Sequence, residues 1–148
     1  MSGVLHVLLH MAEREVPLTS EQLATAMNTN AVVVRRILAG LREGGYVRSD
    51  KGHGGGWTLA RDLRTVTLRD VHQALGSPAL FALGNRTEAP GCLIEQAVNA
   101  ALGKALDDAE RELLERFAKV TLAALQEDFH ARLTARGRRQ TLEEAHAV

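Results

Sequence analysis

Cysteine is nearly absent from this chain: Cys92 is the only one in 148 residues. A lone thiol excludes an internal disulfide framework and fits a reducing compartment. Aromatic residues are scarce too, at 3% against 45% hydrophobic content, which favours aliphatic helix packing over an aromatic-rich sandwich. No apolar run is long enough to span a bilayer, and no charged-then-apolar leader precedes a cleavage site, so a cytoplasmic protein is expected. Catalytic signatures are lacking as well. There is no nucleophile elbow, no phosphate loop, no cysteine–histidine metal spacing, and no paired carboxylates beyond a solvated helix surface. The chain does not read as an enzyme.

Net charge is also missing, because 18 basic residues balance 18 acidic ones. The balance hides a segregation. Residues 29–64 carry seven basic side chains (Arg35, Arg36, Arg42, Arg48, Lys51, Arg61 and Arg64) against three acidic ones. Residues 88–128 carry nine acidic against four basic. A basic unit and an acidic arm cancel in the total, and such a basic unit is the footprint of a nucleic-acid reader.

The basic unit has a recognisable local grammar. Thr19 and Gln22 form a capping box, with Leu18 and Leu23 at the hydrophobic-staple positions. Leu23, Ala24 and Met27 make a short apolar stripe that Asn28-Thr29-Asn30 interrupts. Asn30 is a good N-cap for a second helix over residues 31–43. Val34, Ile37, Leu38 and Leu41 fall at i, i+3, i+4, i+7 and point to the core. The opposite arc holds Val32, Arg35, Arg36 and Ala39, small and basic residues suited to a major groove. Gly44-Gly45 ends the helix. A strand over 46–49, a loop over 50–56 with four glycines, and a return strand over 57–60 then make a hairpin. The glycines suit positive φ and close backbone approach, and Lys51 at the tip suits phosphate or the minor groove.

The runs Thr19-Ser20-Glu21-Gln22-Leu23-Ala24, Val32-Val33-Val34-Arg35-Arg36-Ile37-Leu38, Gly45-Tyr46-Val47-Arg48-Ser49 and Gly52-His53-Gly54-Gly55-Gly56-Trp57-Thr58-Leu59-Ala60 resemble the IscR/NsrR/CymR (Rrf) family of bacterial winged-helix regulators. The resemblance extends over about residues 4–125. It implies a homodimer that binds a palindromic double-stranded DNA operator, usually as a repressor. The DNA-contacting set expected here is Ser20, Thr29, Asn30, Val32, Val33, Arg35, Arg36, Lys51, Gly52 and His53.

The rest of the chain reads as support for that reader. A first helix over 4–12 carries His6 and His10 on one face, taken as packed histidines. Thr67 and Asp70 cap a short helix with Leu68, Val71, His72 and Leu75 that closes the winged domain at residue 76, with His72 partly buried. Residues 77–91 form a linker in which Leu80, Phe81 and Leu83 dock on a helix. From 93 to about 120 one long amphipathic helix follows, roughly 40 Å at 1.5 Å per residue. Its seam is Ile94, Val98, Ala101, Ala105, Ala109, Leu113 and Phe117, and the same helix of a second subunit is the expected cover. A short helix from Thr121 through Leu133 ends this arm at 134, and residues 135–148 are polar and expected to be disordered. The expected fold class is mainly α with a small β wing: a winged helix-turn-helix domain plus a long C-terminal dimerisation helix.

Cys92 stands at the start of the long helix, where free N–H groups and the helix dipole favour a thiolate, the form that oxidants and electrophiles attack. It is the candidate redox sensor; the alternative is a small packed hydrophobe. Cluster-binding members of the family carry three cysteines in this region, so the resemblance points here to the cluster-free, single-cysteine branch with no metal and no cofactor. Two alternatives stay open: a cluster shared between subunits through Cys92 and His6 or His10 of the partner subunit, and a winged-helix module that binds protein rather than DNA.

Overall fold

The computed structural model describes residues 1–14, 16–50, 52, 55–81 and 91–146, with side chains as far as Gly137 in the last helix. The order is α1 (Ser2–Ala12), α2 (Ser20–Ala26), α3 (Ala31–Glu43), β1 (Val47–Asp50), β2 (Gly56–Leu59), a 3-10 turn (Leu63–Thr65), α4 (Leu68–Ala74), α5 (Leu93–Phe117) and α6 (Leu122–His146).

Local chemistry sets these boundaries. Thr19 Oγ1 accepts from the Gln22 N–H at 3.2 Å while the Gln22 side chain accepts from the Thr19 N–H at 2.8 Å, closing two free donors at the start of α2. Asn30 Oδ1 accepts from the Val32 N–H at 2.8 Å and starts α3. The tight turn between them passes through Asn28 at φ 49°, a left-handed conformation that asparagine tolerates. Thr67 and Asp70 cap α4 in the same reciprocal way.

One aliphatic core holds the head together. Val4, Val7, Leu8 and Met11 of α1, Leu23 and Ala24 of α2, and Val34, Leu38 and Leu41 of α3 are buried in it, with Val47, Val66 and Val71. The expected inner face of α3 is therefore the inner face, with Ile37 only partly covered. β1 and β2 pair antiparallel, Val47 opposite Leu59 and Asp50 opposite Gly56. A third extended piece joins them: Leu18 and Trp57 exchange two backbone hydrogen bonds, at 2.8 and 3.1 Å. Gly56 lies so close to Leu18 that an added Cβ would sit 2.8 Å from its carbonyl oxygen. This glycine serves the wing's attachment to the head.

The C-terminal region departs from expectation in three ways. The long helix stops at Phe117, three residues early. The chain then returns to the head: Leu68 N–H donates to Val120 O at 3.0 Å and Leu122 N–H to Val66 O at 2.9 Å. Leu122 is 1% exposed and part of the head's core. Finally, the expected disordered tail from 135 is a correction, because α6 runs to His146. Polar composition alone does not exclude helix, because Ala, Arg, Leu, Gln and Glu are good helix formers.

Candidate nucleic-acid interface

The outer face of α3 is built by what its inner face buries. With Val34, Leu38 and Leu41 fully inside, the 100° step per residue turns Val32, Val33, Arg35 and Arg36 to solvent. Val32 is 66% exposed, a large apolar side chain left in water on a helix whose other side is closed. Thr29 and Asn30 are exposed just before it. Asn30 already uses its side-chain oxygen on the cap.

The two arginines are not equivalent. Arg35 reaches across to α2 and pairs with the carboxylate of Glu21, both side chains remaining exposed. Arg36 is exposed and makes no ion pair among the described residues. Other basic residues counted in the surplus have structural work. Arg61 donates to Gly44 O at 3.0 Å and Gly45 O at 3.1 Å, closing the carboxyl end of α3, and lies over the Tyr46 ring at 4.6 Å. Arg64 is held by Asp62, whose carboxyl is pushed below its usual range by those hydrogen bonds. Arg48 Nε donates to Thr58 Oγ1 across the hairpin at 3.0 Å.

Ser20 is a correction to the expected contact set. It is 6% exposed, and its Oγ accepts from the Trp57 indole N–H at 3.0 Å. A half-buried indole donor is best satisfied within the fold, and Ser20 on the first turn of α2 supplies the acceptor. This bond ties the wing to the helix pair. In the wing loop, Gly52 is exposed at φ 103° with open space around it. Lys51 and His53 lie outside the described residues. Sequence reasoning missed the Glu21 partner, 14 residues from Arg35, and the Ser20–Trp57 link, for which the lone tryptophan was the available signal.

On the arm, α5 has no buried residue. Ile94 is 76% and Val98 51% exposed; Ala101, Ala105 and Ala109 are exposed, and Leu113 and Phe117 are half-buried. Asp108 takes Lys104 and Arg111, and Glu112 takes Arg116, in ion pairs along the helix. Cys92 is exposed at the N-cap position of α5 and makes no side-chain capping bond. Among the described residues no helix is long and apolar enough to cross a membrane.

Two histidine sites complete the picture. His72 is fully buried rather than partly so. Its Nε2 donates to Pro78 O at 2.9 Å, and its Nδ1 has no partner among the described residues. This holds the start of the connector, where Leu80 and Phe81 are half-buried; Leu83 lies outside the described residues. His6 and His10 bond to each other through Nε2 at 2.9 Å. With Leu9, Glu13, Gln126 and Phe129 they line a cavity of about 170 Å³ between α1 and α6. Glu13 joins the helices, accepting from His130 and Gln126 at 2.9 Å, bonds that lower its pKa. Burial, and then His6, lowers that of His10.

The comparisons with known proteins follow this geometry. The family model Rrf2, described as an iron-dependent transcriptional regulator, matches residues 1–128. YffB of Lactococcus lactis, whose name places it among HTH-type transcriptional regulators, is 27% identical over 127 residues, covering 84% of this chain and 81% of that protein. A solved structure of a transcriptional regulator from Lactobacillus plantarum superposes with a TM-score of 0.75 at 25% identity, covering 95% of each chain. CymR of Bacillus subtilis, titled the global cysteine regulator, shares the fold at a TM-score of 0.57 and 21% identity, covering 86% of this chain and 95% of its own. The iron in the family description meets a poor donor set. One exposed cysteine is present, and among the described residues no three His, Cys, Asp or Glu side chains are arranged to hold a metal. Iron–sulfur clusters are ordinarily held by several thiolates, and one chain supplies a single cysteine.

Proposed function

This chain belongs to the Rrf2 family of transcriptional regulators, and from that premise we propose that it is a homodimeric, cytoplasmic repressor of a palindromic operator, working without a cluster. The observation that carries the reading is the outer face of α3. Val32, Arg35 and Arg36 stand exposed on a helix whose other side is closed by the head's core. A valine methyl matches the thymine methyl, and an arginine fork matches guanine. The wing, fastened through Trp57 and Ser20, sets a second contact beside the first.

The dimer reading rests on α5. A 25-residue helix with Leu93, Ile94, Val98 and Leu102 more than half exposed is an apolar face left open among the described residues. A second copy supplies that cover and sets two α3 helices about 34–36 Å apart, one turn of DNA. The test is selection from a random-core duplex pool with the full chain, then mobility shift on the enriched sequence. A palindromic consensus is expected, and Arg36→Ala should weaken binding by about 1–3 kcal/mol. Absence of any enriched sequence, or an Arg36→Ala protein that binds as wild type, overturns the reading.

The effector reading falls on Cys92, which is the sole thiol, exposed, and placed where the connector meets α5. Peroxide would convert its thiolate to sulfenic acid with release of hydroxide. With no second cysteine in the chain, the next step is a mixed disulfide with a small thiol or a link between subunits. Cys92→Ser should keep DNA affinity under peroxide while wild type changes by about five- to a hundredfold. Equal responses in the two proteins assign Cys92 to packing.

A further inference from the structure

We propose that Glu21 is a specificity-determining residue: its carboxylate holds the Arg35 guanidinium on the groove side of the helix pair and keeps it off the DNA backbone. The inference rests on the DNA-reading function above and adds a residue to it. Glu21 is the second residue of α2 and its only first-turn acid. Free N–H groups at a helix start favour an acid there. That explains the charge but not the direction of the side chain, which spans to α3 and takes Arg35.

Stability does not explain the pair either. The side chains are 52% and 63% exposed, and ion pairs so open to water contribute little. Position does. In a helix-turn-helix reader the first helix crosses the phosphate backbone while the second enters the groove. A carboxylate on the first turn of α2 repels phosphate and weakens binding to every sequence alike. A basic residue there would strengthen such binding. The chain instead spends an arginine to neutralise the acid.

The return is selectivity. An arginine at the groove wall has two competing destinations, a phosphate oxygen and a guanine edge. The phosphate is met at every sequence and carries no sequence information. Glu21 occupies the Nη2 group of Arg35. The guanidinium has five N–H donors, so donors remain for guanine O6 and N7. Arg36, one step around the helix, has no ion-pair partner among the described residues, so no carboxylate restrains it in this way.

The test uses the full chain, a random-core duplex pool for base preference, and a mixed-sequence duplex titrated with salt. Glu21→Gln should bind the mixed-sequence duplex more tightly, with a log–log salt slope steeper by about 0.9, the signature of one further phosphate contact. Preference at one G·C position per half-site should fall about tenfold. Glu21→Asp, which keeps the charge, should retain the wild-type slope. In an Arg35→Ala background, Glu21→Gln should leave the base profile unchanged. The proposal is overturned if Glu21→Gln keeps the wild-type profile and slope, or if it alters the profile equally without Arg35. A silent Glu21→Gln beside a weakened Arg36→Ala removes this role and leaves DNA reading intact. A wild-type chain with no sequence preference removes both.

Discussion

Helices α3 and α5 solve the problem of an apolar face in opposite ways. In 13 residues α3 buries Val34, Leu38 and Leu41 completely. In 25 residues α5 buries none. The first helix finds its cover within its own chain, while the second presents Leu93, Ile94, Val98 and Leu102 to solvent. The core of the head is closed within one chain, with Leu122 from beyond α5 included, whereas the first half of α5 leaves its apolar side chains exposed. A substitution on the buried face of α3 should act on folding, and one on the first half of α5 on assembly.

The largest expected effect breaks the head. Leu38→Ala removes a side chain with no exposure and should cost about 2–5 kcal/mol in denaturant unfolding. A smaller loss would mean that the head relaxes around the hole. Next, Val98→Glu places a charge on the arm's open face. Sedimentation should show monomers at micromolar concentration, with the helical signal of the head retained. A dimer that survives the change moves the interface elsewhere. Leu113 and Phe117 are less clean probes, because they are already half-buried within one chain.

The smallest effect sharpens the comparison where head meets α6. Glu13 titrates below its ordinary value of 4.5 because His130 and Gln126 hydrogen-bond its carboxylate. A depressed folded pKa gives stability that is present above the ordinary value and is lost as pH falls through the lowered one. Glu13→Gln should flatten the acid limb of the melting curve below about pH 4.5 and leave neutral pH nearly unchanged. An unchanged acid limb would show that the contact carries no weight in solution.

Periodicity and caps made the head legible from sequence. Asn30 and Gly44-Gly45 set the ends of α3, and the spacing of Val34, Ile37, Leu38 and Leu41 its inner face, because those signals are local. The failures involve distance. Ser20 looked like a backbone contact until Trp57, 37 residues on, claimed its hydroxyl. No local spacing announces the partner of Arg35, because Glu21 lies on another helix. Gly56 suited a close backbone approach, and the backbone it approaches is that of Leu18, 38 residues earlier. The tail is polar, yet Ala, Arg, Leu, Gln and Glu favour helix over disorder there.

The return of Leu122 to the core of the head bears on how the chain is made. Synthesis runs from the N-terminus, and domains tend to fold as they emerge. Here the nascent winged unit waits for a residue that lies after all of α5. It completes its core only by a contact of long sequence separation, which slows folding. By then the whole open face of the arm has left the ribosome. The finished head and the open apolar face of the arm thus appear together, so the reader is never complete before the arm is exposed. A truncated product ending at Ala74 would lack the last piece of its interior and should be degraded rather than occupy DNA as a half-reader.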